Sequence, residues 1–133
     1  MIFVDTSAVY ALADRGDARH EEARRLLETA LARRESLLTH NYVLVESLAL
    51  LQHRLGSETA AKFARSVRDF EVVWVDPPLH AEATRRWVQS SKRRVSFVDE
   101  VSFVVMKARG IEVAFAFDRD FEGRGFRLLA PSS

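Results

Sequence analysis

Short apolar runs alternate with longer helical stretches along this 133-residue chain. The apolar runs predict strands over residues 2–4, 36–39, 72–75, 112–117 and 126–129. Helical patterns fill the intervals, over residues 8–13, 18–34, 41–55, 57–68, 79–90 and 97–109. Parallel strands need a crossover of about a dozen residues or more, which the helices supply. The alternation therefore predicts an α/β fold, a three-layer sandwich with a parallel sheet covered on both faces.

The length of the chain suits one hydrophobic core and is too short for two ordinary domains. Hydrophobic residues make up 47% and charged residues 29%, which is ordinary for a folded domain. We therefore expect residues 1–133 to form a single domain, with only a short tail from Pro131 onward.

Charge and cysteine content exclude several classes of protein. Twenty basic against nineteen acidic side chains give a net charge of +1, so any basic surface that binds nucleic acid must be local. The absence of cysteine excludes disulfides and thiolate metal ligands. The first apolar run stops at Asp5, and no run approaches the roughly 20 residues of a membrane span. We expect a cytoplasmic protein with no membrane partner.

Acidic residues stand where predicted elements begin or end. Asp5 and Asp118 each follow a strand, so a parallel sheet brings both to the same carboxyl edge. Asp99 lies in the first turn of the helix that crosses back to the strand before Asp118. Glu46 is the only charged residue in 41–52, within the apolar YVLVESLALL, which suggests that it does not simply point to water. Carboxylates crowded together raise one another's pKa values and require a counter-charge. Oxygen ligands of this kind suit Mg²⁺ or Mn²⁺, and such a site suits phosphoryl chemistry.

Four segments of the chain, in order and spacing, carry a resemblance to a known family. They are MIFVDTSAVYAL, YVLVESLALL, SFVDEVSF and AFAFDRDF. Together they resemble PIN-domain ribonucleases, specifically the toxins of VapBC-type toxin–antitoxin pairs. The resemblance implies a sheet in the order 3-2-1-4-5, metal-dependent endonucleolytic cleavage of single-stranded RNA and neutralisation by a cognate antitoxin.

The resemblance also implies roles for individual residues. The acidic quartet of the family corresponds to Asp5, Glu46, Asp99 and Asp118. Asp5 and Asp99 are then the expected direct metal ligands. Thr6 and Ser7 stand where the family often has a supporting hydroxyl.

Glu100 departs from the family pattern, which usually has a small residue such as alanine there. Successive helical residues project about 100° apart, so only one of Asp99 and Glu100 can point into a compact site. Asp99 lies on the same side of the helix as Phe103 and Met106, whereas Glu100 lies on the same side as Lys107. Apolar neighbours indicate a side covered by the rest of the chain, and a charged neighbour indicates a solvent-exposed side. We therefore expect Asp99 to be the ligand and Glu100 a peripheral, solvent-exposed charge. Asp120, beside Arg119, is interpreted as a solvated loop charge that could support the site.

A basic run, Lys92, Arg93 and Arg94, precedes the acidic helix, and Arg85 and Arg86 add to it on the preceding helix. Such a run is either a solvated face or a set of phosphate contacts for RNA. Tryptophans in apolar runs and at helical spacing are more often core residues than base-stacking platforms, and we interpret the two tryptophans of this chain as core residues. The four histidines lack metal-ligand spacing and are interpreted as structural or exposed.

Other functions remain open at this point. A phosphoacceptor receiver-like signalling domain has a similar length and element order, but would require a lysine after its last core strands. A nuclease-dead RNA- or protein-binding module would be expected to have lost one of the four acids. A PIN nuclease of RNA maturation cannot be separated from a toxin by sequence, and an antitoxin gene immediately upstream would distinguish them. The helical hairpin over residues 41–68 is an expected homodimer surface.

Overall fold

Five parallel strands form one sheet in the computed structural model, which describes residues 1–90 and 95–131. The strands are β1 (Ile2–Val4), β2 (Leu37–His40), β3 (Glu71–Val73), β4 (Val113–Phe115) and β5 (Arg127–Leu128). Their order across the sheet is β3-β2-β1-β4-β5, and every neighbouring pair is parallel. The predicted fold class and strand order are confirmed.

Helices connect the strands and cover the sheet. They are α1 (Thr6–Ala13), α2 (His20–Ala32), α3 (Asn41–Leu55), α4 (Ser57–Ser66), α5 (Pro77–Gln89), α6 (Phe97–Arg109) and α7 (Asp120–Gly123). A 3₁₀ turn, Val67–Asp69, leads from α4 into β3. The short helix α7 was not predicted.

Residues that alternate along the strands pack into two separate cores, one on each face of the sheet. Phe3 and Leu38 belong to the core formed with α5 and α6. Ile2 and Val4 belong to the core formed with α1, α2, α3 and α4. The period of two along a strand thus creates the three layers.

Helix ends are set by specific caps. Asp5 caps α1 by accepting a hydrogen bond from the Ser7 backbone N–H at 3.1 Å. Gly56 ends α3 with φ 97°, a left-handed conformation that glycine adopts without strain. It also stands as the N-cap of α4.

None of the helices within residues 1–90 and 95–131 is long and apolar enough to cross a membrane.

Candidate metal centre

The carboxyl edge of the sheet brings Asp5 and Asp118 together, as the topology predicts. Val4 pairs with Phe115 in parallel register, and the Asp5 backbone N–H donates to the Phe115 carbonyl at 3.0 Å. Asp118 follows three residues beyond Phe115. The neighbouring strands β1 and β4 are therefore each followed by an aspartate at the same edge of the sheet.

Ser7 fixes the position of the Asp5 carboxylate, which is only 4% exposed. The Ser7 hydroxyl donates to Asp5 Oδ2 at 2.7 Å and accepts from the Phe117 backbone N–H at 3.0 Å. One hydroxyl thus joins the ends of β1 and β4. The Thr6 hydroxyl instead faces α3, where it accepts a hydrogen bond from Ser47 Oγ at 3.2 Å.

Asp99 enters the site from the first turn of α6. Ser96 caps that helix by accepting from the Asp99 backbone N–H at 3.0 Å, which leaves the carboxylate of Asp99 unused by the cap. One oxygen each of Asp99, Asp118 and Asp120 lies within 4.8 Å of the others. Asp118 also accepts from the Asp120 backbone N–H at 2.9 Å, so α7 begins on the site itself. Asp120, interpreted from sequence as a loop charge, is therefore a member of the cluster.

Burial and neighbouring carboxylates destabilise the ionised forms of Asp5 and Asp99. Burial and the charges of Asp5, Asp118 and Glu46 raise the pKa of Asp99 to about 7, against a smaller opposing effect of the Ser96 hydrogen bond. Burial also raises the pKa of Asp5, which the Ser7 hydrogen bonds partly oppose. A group of carboxylates in this arrangement fits a cation whose ligands are all oxygen.

Glu46 lies at the rim of the cluster. It is close enough for its charge to raise the pKa values of Asp5 and Asp99, yet its side chain is exposed. Glu46 is exposed because Val45 and Glu46 occupy the outer face of α3, while Val43 and Leu44 face inward. Its role in the site stays a prediction.

The sequence-based position of Glu100 is wrong. Glu100 is 1% exposed instead of lying on a solvent-exposed side of the helix, and it forms an ion pair with Arg124. Asp99, its neighbour on α6, faces the other carboxylates, as expected. The local pattern could not reveal Arg124, because this partner lies 24 residues further along the chain.

His40 joins the two helices that carry Glu46 and Asp99. Its Nδ1 accepts from the Val43 backbone N–H at 3.3 Å, so Nε2 carries the proton and donates to Ser102 Oγ at 2.8 Å. Burial lowers the pKa of His40 to about 3, which keeps the ring neutral at ordinary pH. His40 is thus a structural histidine, as interpreted from sequence, that couples α3 to α6.

The predicted basic surface is only partly described. Lys92, Arg93 and Arg94 lie outside the described residues. Arg85 and Arg86 both form ion pairs with Glu82, at 2.7 and 2.6 Å, so neither is an unpaired charge for RNA.

The tryptophans occupy different environments. The Trp87 indole N–H donates to the Val95 carbonyl at 2.9 Å. Trp74, at the end of β3, is 71% exposed, contrary to the core position expected from its apolar neighbours.

One apolar groove in the described part of the chain lies away from the acidic cluster. It runs between α2 and α4, where Leu27, Leu31 and Phe63 contribute apolar walls. None of the four predicted acids lines it. The acidic cluster at the sheet edge is therefore separate from this groove.

Comparison with known proteins identifies the family. The model of the PIN domain matches residues 2–126 of the chain. The chain belongs to the PIN-domain family. This kinship confirms the resemblance that the four sequence segments carry, and it does not fit a receiver-like signalling domain.

The relatives within the PIN-domain family include VapC-type proteins. The chain is 42% identical over 134 residues to the 23S rRNA-specific endonuclease VapC20 of Mycobacterium tuberculosis H37Rv and of strain CDC 1551, a match covering 98% of this chain and 99% of the relative. The crystal structure of Mycobacterium tuberculosis VapC20, a sarcin–ricin loop cleaving toxin, superposes with a TM-score of 0.84 at 40% identity, covering 95% and 96% of the two chains. PAE2754 of Pyrobaculum aerophilum superposes with a TM-score of 0.60 at 25% identity, covering 96% and 88%.

Proposed function

We propose that this PIN-domain protein is a metal-dependent endoribonuclease that cleaves a single-stranded region of ribosomal RNA as the toxin of a VapBC-type pair. The observation that carries the proposal is the convergence of Asp5, Asp99 and Asp118 at one sheet edge, with Glu46 at the rim. The 42% identity to a 23S rRNA-specific endonuclease supports the substrate class. A toxin is favoured over an RNA-maturation nuclease because the VapC20 crystal structure is described as that of a toxin.

The donor set of the cluster fits Mg²⁺ or Mn²⁺. Carboxylate oxygens are the ligands that these ions prefer, and burial together with neighbouring carboxylates raises the pKa of Asp99. We assign Asp5 and Asp99 as direct ligands, with Asp118 and Glu46 completing the catalytic set. A divalent cation held there would polarise the phosphodiester and favour ionisation of an attacking water.

Hydrogen bonds within the chain position the acidic side chains. Ser7 holds the Asp5 carboxylate and the end of β4 in one arrangement, through hydrogen bonds of 2.7 and 3.0 Å. The Ser96 cap fixes the first turn of α6 and with it Asp99. Because these hydrogen bonds form before substrate arrives, little reorganisation is needed at the site.

Partners follow from the same proposal. Lys92, Arg93 and Arg94 contact phosphates of the RNA, which is the functional interpretation of this run from sequence. A cognate antitoxin neutralises the enzyme, and a ribosomal substrate places the protein in the cytoplasm. A homodimer through the α3–α4 hairpin is supported by Val45, an apolar side chain of α3 that is 65% exposed. We assign residues 1–133 to one domain.

Metal-dependent cleavage is the test of the proposed function. Purified protein should cut a ribosomal RNA stem-loop with Mg²⁺ or Mn²⁺ and lose that activity in chelator, since the carboxylates alone provide no nucleophile. Cleavage is followed by gel electrophoresis of end-labelled RNA, and activity should return when Mn²⁺ is added in excess of the chelator. Equal cleavage with and without chelator would contradict the metal-dependent assignment.

A further inference from the structure

Glu100 and Arg124 form a nearly buried ion pair beside the acidic cluster. Two parallel hydrogen bonds join the guanidinium of Arg124 to both carboxylate oxygens of Glu100, at 2.8 and 2.9 Å. Glu100 is 1% and the Arg124 side chain 30% exposed. A bidentate arrangement fixes the relative orientation of the two groups as well as their distance.

The pair joins the two elements that carry the carboxylate cluster. Glu100 belongs to α6, one residue after Asp99. Arg124 follows α7 directly, and its backbone N–H donates to the Phe121 carbonyl at 3.1 Å. Helix α7 begins with Asp120, whose N–H is bonded to the carboxylate of Asp118. The ion pair thus lies at the far end of α7 from these two acids.

Aromatic packing supports the position of Arg124. Its guanidinium lies over the Phe103 ring at 4.7 Å from the centroid, and Phe103 contacts Phe121 of α7 with ring centroids 5.0 Å apart. The hydrogen bond to Glu100 raises the pKa of the Arg124 guanidinium, and the nearby charge of Asp120 adds a smaller effect in the same direction. Arg124 therefore contacts α6 directly and the cluster electrostatically.

A buried ion pair is a poor source of net stability, because desolvation of both charges offsets their attraction. Replacing such a pair with packed apolar residues is often neutral or stabilising. The clearest gain from this pair is therefore geometric, since it fixes how α7 sits against α6.

We propose that Glu100 and Arg124 are positioning residues that hold α7 against α6, so that Asp118 and Asp120 face Asp99 at the spacing a divalent cation requires. The proposal rests on the function proposed above. It assigns Glu100 a role in metal affinity without making it a ligand. A pair that only stabilised the fold would leave metal affinity unchanged once the protein is folded.

Calorimetric titration with Mn²⁺ separates these roles. Partners that orient metal ligands typically contribute about 10–100-fold to affinity, and we expect Glu100→Gln to weaken Mn²⁺ binding within this range. Arg124→Lys keeps the positive charge but loses the bidentate hydrogen bonding to Glu100. It should therefore weaken Mn²⁺ binding by a smaller factor than Glu100→Gln does. Circular dichroism verifies that each variant is folded.

Two variants serve as controls. Glu71→Gln removes the 2.7 Å ion pair between Glu71, the first residue of β3, and Arg109, the last residue of α6, at the amino edge of the sheet. Leu51→Ala destabilises the other core, in which Leu51 is fully buried. Both should bind Mn²⁺ as the wild type does.

The outcomes distinguish this proposal from the proposed function. A wild-type protein that binds no Mn²⁺ contradicts the metal centre itself. A wild type that binds Mn²⁺, together with a folded Glu100→Gln variant of equal affinity, overturns the positioning role. If Glu100→Gln does not fold, Arg124→Lys decides, and unchanged affinity in that variant overturns the proposal. An equal loss of affinity in Leu51→Ala would also overturn it, because the effect would then follow from general destabilisation.

Discussion

Asp99→Asn is expected to lower the rate of RNA cleavage by about 10²–10³-fold or more. Loss of one electrostatic group at a reacting centre typically lowers the rate by about this factor. Asparagine has nearly the same shape but cannot carry the negative charge of a metal ligand. The measurement is the single-turnover rate of cleavage of a labelled RNA stem-loop at saturating Mn²⁺. Asp69→Asn, an exposed aspartate at the amino edge of the sheet, should cleave at the wild-type rate. A fully active Asp99→Asn variant would contradict the ligand assignment.

The same substitution should stabilise the metal-free protein at alkaline pH. The folded state raises the pKa of Asp99 from its ordinary value of 3.8 to about 7, so the folded state holds a proton that the unfolded state has lost. Wild-type stability therefore falls as pH rises from about 4 through 7, and the loss persists above 7. The asparagine side chain of the variant has no such titration. After a discount for partial exposure, we expect a gain of about 1–2 kcal/mol in the free energy of unfolding at pH 8.

Denaturant unfolding in chelator at pH 5 and pH 8 measures this effect. The wild type should lose more stability than Asp99→Asn between the two pH values. An Asp99→Asn variant that is less stable than the wild type at pH 8 would show that the ionised carboxylate is compensated in the metal-free protein.

Asp5→Asn is the second substitution with a large expected effect, again a loss of cleavage of about 10²-fold or more. Asparagine caps a helix about as well as aspartate, so α1 should keep its start and the substitution isolates the charge. The readouts are the cleavage rate and the affinity for Mn²⁺, both of which should fall.

Asp76→Asn is the matched control for Asp5→Asn. Asp76 caps α5 through the same kind of hydrogen bond, to the Leu79 backbone N–H at 2.9 Å, but its side chain is exposed beyond edge strand β3. Its substitution should leave cleavage unchanged. Equal losses in Asp5→Asn and Asp76→Asn would mean that helix capping, and not metal binding, explains the effect.

The fold was predictable because local signals agree with the topology. Helix α3 has the predicted bounds, Asn41–Leu55, since Gly56 stops it in a conformation that other residues avoid. Helix α5 begins at Pro77, earlier than predicted, because Asp76 caps it and proline needs no hydrogen bond in the first turn. Strand β4 ends at Phe115, earlier than predicted, and the backbone N–H of Phe117 bonds to the Ser7 hydroxyl instead of to a strand.

The site was predictable where it depends on sheet topology and not where it depends on distant partners. Asp5 and Asp118 follow neighbouring parallel strands, so their convergence is determined by strand order alone. The burial of Glu100 depends on Arg124, and the place of Asp120 depends on α7, a helix of four residues that leaves little periodic signal. The exposure of Glu46 depends on which side of α3 the sheet covers, which its mostly apolar neighbours do not determine.

The location of bound Mn²⁺ tests the central claim most directly. Anomalous scattering from a crystal soaked in Mn²⁺ should give a peak within ligand distance of Asp5 and Asp99, with Asp118 or Asp120 beside it. A peak at a different carboxylate cluster, with none between Asp5 and Asp99, would contradict the assignment of this sheet edge as the metal centre.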